Sequence, residues 1–210
     1  MNIDGLIFDL DGTLWDAVAR ITEIWKNSVC RETDVDLAVF TEDNIRSLMG
    51  LNTEEIGNAL FPASSPDRRG VLMELCSEAE RKELPKKGGA LYPRVRETLS
   101  LLKEKYPLFI VSNCDKGYIE AFLSYHRLEA CFTDFLCYGD TGKDKWENIR
   151  ETVKKHGLKR PLYVGDTEKD RLSAEKAGVR FVHAAYGFGT LSVVTDSIKA
   201  FDCLPRYLES

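Results

Sequence analysis

The sequence predicts a doubly wound, Rossmann-like α/β protein, a parallel sheet core with a helical module inserted after its first strand. Three observations carry this. A short apolar run, Leu6 to Phe8, ends in Asp9-Leu10-Asp11-Gly12-Thr13; residues from about Asp16 to Leu84 show helical apolar spacing; and from Tyr92 onward strand-like and helix-like segments alternate. Such alternation argues for parallel strands joined by right-handed crossovers, with helices on both faces. The first strand joins that sheet, so the core is expected over residues 1–14 and 89–210, with the helical module and its hinges over 15–88.

Taken in order, the run at Leu6 reads as a buried strand that delivers two carboxylates to its C-terminal end. In an open parallel sheet that edge is where ligands bind. An Asp-Gly turn without function is the bland alternative. A calcium loop of the EF-hand type is excluded, because its alternating oxygen ligands and closing Glu are absent. In the module, Ile21, Ile24, Trp25, Ser28 and Val29 share one helical face, and further helices are expected at Asn44–Met49, Thr53–Phe61 and Pro66–Leu84. Gly50 follows one of them, and Ser65-Pro66-Asp67 offers an N-cap with Pro at the first helical position. Pro85-Lys86-Lys87-Gly88-Gly89 reads as a closing loop. Beyond it, Val95, Leu99 and Leu102 mark a helix, Leu108–Val111 a strand, Ile119–Leu123 a helix and Phe135–Tyr138 a strand. A helix over Trp146–His156 ends at Gly157, Leu162–Val164 is a strand, a helix over Arg171–Ala177 ends at Gly178, and Arg180–Val182 is a strand.

The chain has 210 residues, 43% of them hydrophobic and 30% charged, with a net charge of −5. This length can bury a sizeable core, and the charge gives nucleic acid no bulk attraction. No apolar run approaches the roughly 20 residues of a membrane span, and the N-terminus enters the acidic strand without a signal-peptide pattern. A cytoplasmic protein, monomer or homodimer, with neither nucleic-acid nor membrane partners is expected. The six cysteines are scattered without a C-x-x-C pair, which points to reduced thiols.

Other strand ends repeat the theme of the first. Val111 runs into Ser112-Asn113, the strand near Tyr138 is followed by Lys143 and Lys145, and Val164 runs into Gly165-Asp166-Thr167 with Asp170 beyond. Asp9, Asp11, Asp166 and Asp170 in one small space repel and raise one another's pKa unless a cation sits among them. A hard divalent metal, magnesium, suits a carboxylate set without His or Cys. A lysine and the Ser112 hydroxyl are then available for the remaining oxygens of a phosphoryl group, with Lys143 and Lys145 in competition. The run Gly139 to Asp144 fails as a phosphate loop, since Cys137 and Asp144 stand where Gly and Ser or Thr are required. Cys114 lacks a neighbouring His and an anion-binding Arg at the spacing of a thiol phosphatase, and reads as a small buried thiol. His126, His156 and His183 read as structural or surface residues, and Tyr186-Gly187-Phe188-Gly189 as a turn packed near the site.

Four motifs, Asp9-Leu10-Asp11-Gly12-Thr13, Ser112-Asn113, Lys145 in Lys-Trp-Glu-Asn-Ile, and Gly165-Asp166-Thr167-Glu168-Lys169-Asp170, together resemble the haloacid dehalogenase superfamily, in its phosphoglycolate phosphatase and β-phosphoglucomutase branch. The resemblance covers nearly the whole chain, and the helical module resembles the mobile cap of that family. It implies Asp9 as nucleophile, Asp11 as general acid and base, and Ser112 and Lys145 as a phosphoryl clamp. Asp9, the backbone carbonyl of Asp11 and Asp166 are implied magnesium ligands, with Asp170 acting through a water. The implied partner is a small-molecule phosphate ester, and the implied activity a phosphatase using an aspartyl phosphate. A phosphomutase uses the same motifs and is the alternative; a non-catalytic phosphate sensor or scaffold is opposed by the full set of catalytic residue types. Asn113, Trp15 and Arg46, the last near the Gly50-Leu51-Asn52 turn, are further candidates for substrate contact. For Trp15 and Arg46 the competing readings are plain packing and a solvated helix charge.

Overall fold

The computed structural model describes residues 2–193 and 195–209. Its strands are β1 (Gly5–Phe8), β2 (Trp15–Asp16), β3 (Ala90–Leu91), β4 (Leu108–Ser112), β5 (Asp134–Cys137), β6 (Pro161–Gly165), β7 (Arg180–Ala184) and β8 (Ser197–Ile198). Its α-helices are α1 (Val18–Ser28), α2 (Glu42–Leu48), α3 (Thr53–Leu60), α4 (Pro66–Glu83), α5 (Val95–Leu102), α6 (Tyr118–His126), α7 (Tyr138–Thr141), α8 (Lys145–Lys155), α9 (Glu168–Ala177) and α10 (Leu204–Glu209).

Six strands form one sheet in the order β5-β4-β1-β6-β7-β8, each pair parallel. The acid-bearing strand β1 lies between β4 and β6, which explains why it is apolar on both faces rather than alternating. Leu6 and Phe8 join one hydrophobic cluster and Ile7 the other, with Ile149 of α8 and Ala174 of α9 on the second side. Helices therefore cover both faces, as a doubly wound sheet requires. Register sets the functional edge. Phe8 stands opposite Ile110 and Val164, so Asp9, Ser112 and Asp166 leave the sheet at the same C-terminal side.

Between β2 and β3, which pair antiparallel as two strands leading out of and back into the core, lie α1 to α4. Helix α1 packs against α4, with Trp25 Nε1 donating to Glu80 at 2.6 Å. Local chemistry starts these helices where the sequence indicates: Ser65 caps α4 by accepting from Arg68 N at 3.3 Å, and Asn52 caps α3 by accepting from Glu55 N at 2.9 Å. No helix among the described residues is long and apolar enough to cross a membrane.

Four details differ from expectation. The β2–β3 pair is too short to carry a period. Tyr138 opens α7 instead of ending β5. Helix α9 begins at Glu168, three residues early, because Thr167 caps it through Asp170 N. Beyond Val182 the chain adds β8 and α10, whose short segments carry little pattern.

Candidate active site

Each acid reaches the site from a strand end. Asp9 follows β1, its N–H donating to Val164 O at 2.9 Å, and it is 2% exposed. Asp166 follows β6, and Asp170 lies in the first turn of α9; both are fully buried. One carboxylate oxygen from each of Asp9, Asp166 and Asp170 falls within 4.8 Å of the others.

A single buried cation holds two of the three. Lys145, at the first position of α8, donates from Nζ to Asp9 Oδ1 at 2.9 Å and to Asp170 Oδ1 at 2.6 Å. Lys143, by contrast, is exposed and pairs with Glu151 at 2.6 Å. Burial works against the Lys145 ammonium, but the charges of Asp170 and Asp9 outweigh it and hold its pKa well above the usual value. Burial likewise opposes ionisation of Asp170. There the Lys145 charge and the hydrogen bonds from Lys145 and Thr167 prevail, and its pKa stays below the ordinary carboxylate range.

Asp9 and Asp166 go the other way. Burial first, and the charge of Asp170 second, push Asp9 up to about 6, with Lys145 pulling against both. Asp166 is pushed up to about 8 by burial, then by the charges of Asp170 and Asp9. The acids do repel as the sequence suggests, yet loss of water contributes more.

Asp166 is also distinctive in its contacts. Its Oδ2 accepts from the backbone N–H of Phe188 at 2.7 Å and of Gly189 at 3.2 Å, whereas Oδ1 is buried without a partner among the described residues. A backbone with almost no side chain makes room for this carboxylate. Gly12 has φ +78°, and a Cβ there would stand 2.2 Å from Asp166 Oδ2. The Tyr186–Gly189 turn, expected near the site, thus supplies Asp166 with its donors, and Tyr186 OH donates to Thr13 O at 2.8 Å.

Asp11 lies across from this cluster. Its Oδ1 accepts from Tyr118 OH at 2.8 Å, and burial, then the charge of Asp9, push it up to about 7. Ser112 ends β4 and is buried, while Asn113 donates to Gly50 O at 2.8 Å, joining the sheet edge to the turn after α2.

Trp15 is fully buried, packed edge-on against Tyr118, Phe122 and His126. Arg46 pairs with Asp16 at 3.3 Å and lies 5.1 Å over the Phe188 ring, at the contact between α2 and the core. The histidines serve structure: His126 bonds Gly89 O, His156 bonds Asp134 and His183 bonds Asp166 O. Burial first of all pushes the Cys114 thiol well above its ordinary range, so no thiolate is available. Sequence reasoning missed Tyr118, Glu80 and Trp25 as neighbours of the acids; the apolar spacing of α1, α4 and α6 shows only that one face of each is buried.

The chain matches the model of the haloacid dehalogenase-like hydrolase family over residues 6–184. It is 32% identical to a phosphoglycolate phosphatase of Rhodobacter capsulatus, covering 87% of this chain and 84% of the relative. It is 30% identical to a phosphoglycolate phosphatase of Vibrio vulnificus strain YJ016, covering 97% and 94%. The crystal structure of a predicted phosphoglycolate phosphatase from Haemophilus somnus superposes with a TM-score of 0.85 at 20% identity, covering 98% of each chain. At that identity the likeness speaks for the fold.

Proposed function

This chain belongs to the haloacid dehalogenase-like hydrolase family, and on that premise we propose that it is a magnesium-dependent phosphatase hydrolysing small phosphomonoesters through an aspartyl phosphate on Asp9. The observation that carries the reading is the buried pairing of Lys145 with Asp9 and Asp170, beside an Asp166 oxygen that no group among the described residues satisfies.

The donors suit a hard divalent cation. They are carboxylate oxygens clustered within 4.8 Å, and a buried, unpartnered carboxylate oxygen is costly without a positive charge to meet it. Asp9 and Asp166 would hold the ion, with the Asp11 carbonyl and Asp170 supporting it. Bound there, magnesium supplies positive charge that offsets the negative charge of the transferring phosphoryl group.

The residues of the chain do the rest. An Asp9 carboxylate oxygen attacks phosphorus, forming an aspartyl phosphate as the bond from phosphorus to the alcohol oxygen breaks. Splitting hydrolysis in this way replaces one hard step by two easier ones. Asp11, whose pKa of about 7 lets it carry a proton near neutral pH, gives that proton to the departing alcohol. It then accepts a proton from the water that attacks phosphorus, and the bond to Asp9 breaks to release inorganic phosphate. Lys145 balances charge on the phosphoryl oxygens while keeping Asp9 oriented, and Ser112 donates to another of those oxygens. Asp170 anchors Lys145.

The test is phosphate release from p-nitrophenyl phosphate and a panel of small esters, with and without magnesium. Turnover that vanishes on chelation and returns with magnesium is expected. Full activity after exhaustive chelation overturns the metal dependence.

A further inference from the structure

A cavity of about 50 Å³ lies between the helical segment and the sheet edge, with Asp11 in its wall. A water-sized group needs about 10–15 Å³ on this measure, so the cavity holds about three to five such groups. If Asp11 protonates the departing oxygen, as proposed above, this is where the leaving alcohol sits. The inference that follows rests on that reading.

The wall is largely apolar, built from Trp25, Leu48, Met49, Ile56 and Met73 among others. Its charged residues are all acids, Asp11, Glu80 and Asp115, and among the described residues no Lys, Arg or His lines it. Glu80 is 6% exposed, and the hydrogen bond its carboxylate accepts comes from the neutral indole of Trp25. Cations at the contact between helical segment and core are held by acids of their own, Arg46 by Asp16 and Lys169 by Glu55. The wider groove beyond Met73 and Ser77 contains Arg69, but also Glu54 and Glu74.

We propose that this pocket selects small phosphomonoesters whose alcohol carries no negative charge, accepting a two- or three-carbon hydroxyl- or amine-bearing group and disfavouring a carboxylate. A carboxylate placed there gives up its water, finds no cation in the wall and meets the carboxylate of Asp115. Glu80 itself registers this environment. Burial, against the Trp25 bond, pushes its pKa up to about 8, and the charges of Asp11 and Asp115 add in the same direction. The relatives compared above are named for phosphoglycolate, an ester whose alcohol part bears a carboxylate. The acidic wall sets this chain apart from that substrate.

Three esters of one size separate the possibilities: 2-phosphoglycolate, 2-hydroxyethyl phosphate and 2-aminoethyl phosphate, compared by kcat/KM at one pH with saturating magnesium. The hydroxyethyl and aminoethyl esters are expected to exceed phosphoglycolate by at least tenfold. Asp115→Asn should narrow that ratio severalfold by improving phosphoglycolate, since Asp115 is a half-buried acid of the wall; Glu80→Gln, as neutral as the protonated Glu80, should leave the ratio unchanged. Phosphoglycolate turned over as well as or better than the other two overturns the charge selection while leaving the phosphatase reading in place. A ratio unchanged in folded Asp115→Asn also overturns it. No turnover of these three or of p-nitrophenyl phosphate removes the phosphatase reading, and this inference with it.

Discussion

At the scale of single residues, the site is a buried charge problem solved by one lysine. Removing one partner of a buried ion pair leaves the other uncompensated, at a cost of about 3–5 kcal/mol. Lys145→Met is therefore expected to lower stability to urea by roughly that amount, because Asp9 and Asp170 both lose their cation. Lys143→Met, on the exposed pair with Glu151, should stay within about 0.5 kcal/mol of wild type. Equal effects of the two would contradict the assignment. Asp9→Asn keeps an acceptor for Lys145 but removes the nucleophile, so phosphate release should fall at least ~10³-fold while the melting curve followed by circular dichroism hardly moves. Asp166 tests the metal. Magnesium should raise the melting temperature of the wild-type chain, since a ligand that binds only the folded state stabilises it. That rise should disappear in Asp166→Ala together with most turnover, and calcium should replace magnesium poorly in the wild type.

At the scale of elements, α1 and α4 meet over a buried carboxylate. Glu80 has its pKa raised from 4.5 to about 8, chiefly by burial. The folded state therefore holds a proton that the unfolded chain releases, so this group's contribution to stability is complete below about pH 4.5 and is lost as pH rises towards 8. Glu80→Gln retains an acceptor for Trp25 Nε1 and removes the titration. The variant should gain on the order of 3 kcal/mol over wild type at pH 9 and little at pH 4, which urea melts at the two pH values would measure. An identical pH dependence in both proteins would rule out Glu80 as the source. Short elements matter as well. The β2–β3 pair brings both ends of the helical segment to the acid-bearing edge, and the capped start of α9 ties Thr167 and Asp170 together.

At the scale of the whole molecule, the helical segment shares one cluster of buried apolar side chains with the core, and polar contacts join them as well: Asn113 with Gly50, Lys169 with Glu55, and Arg46 with Asp16 and the Phe188 ring. Both ion pairs are about two-fifths exposed on average, and such pairs are each worth about 0–1 kcal/mol. A mutase must let a bisphosphorylated sugar reorient inside the closed site, and that separates the two activities by experiment. Incubation with β-glucose 1-phosphate and a trace of the 1,6-bisphosphate should yield little glucose 6-phosphate, and small esters should release phosphate. Rapid isomerisation with little phosphate release would reverse that preference.

By itself the sequence determined what is local. Apolar spacing and strand-terminal acids place Asp9, Asp11, Asp166 and Asp170 at one edge of a parallel sheet, because each acid lies within a few residues of a strand whose pattern is legible. Helix starts at Asn52 and Ser65 were open to the same reasoning, capping being a matter of three or four residues. Tertiary structure alone decided the rest. Lys143 and Lys145 both follow β5 closely, and only the packing of α8 turns one inward and leaves the other in solvent. Tyr118 meets Asp11 across 107 residues and Glu80 meets Trp25 across 55, pairings that no local pattern encodes. Trp15 follows the first strand in sequence yet points into the aromatic packing of α6. The acidic character of the leaving-group pocket belongs to this second kind of fact, since Asp11, Glu80 and Asp115 come from three separate stretches that only the folded chain brings within reach of one another.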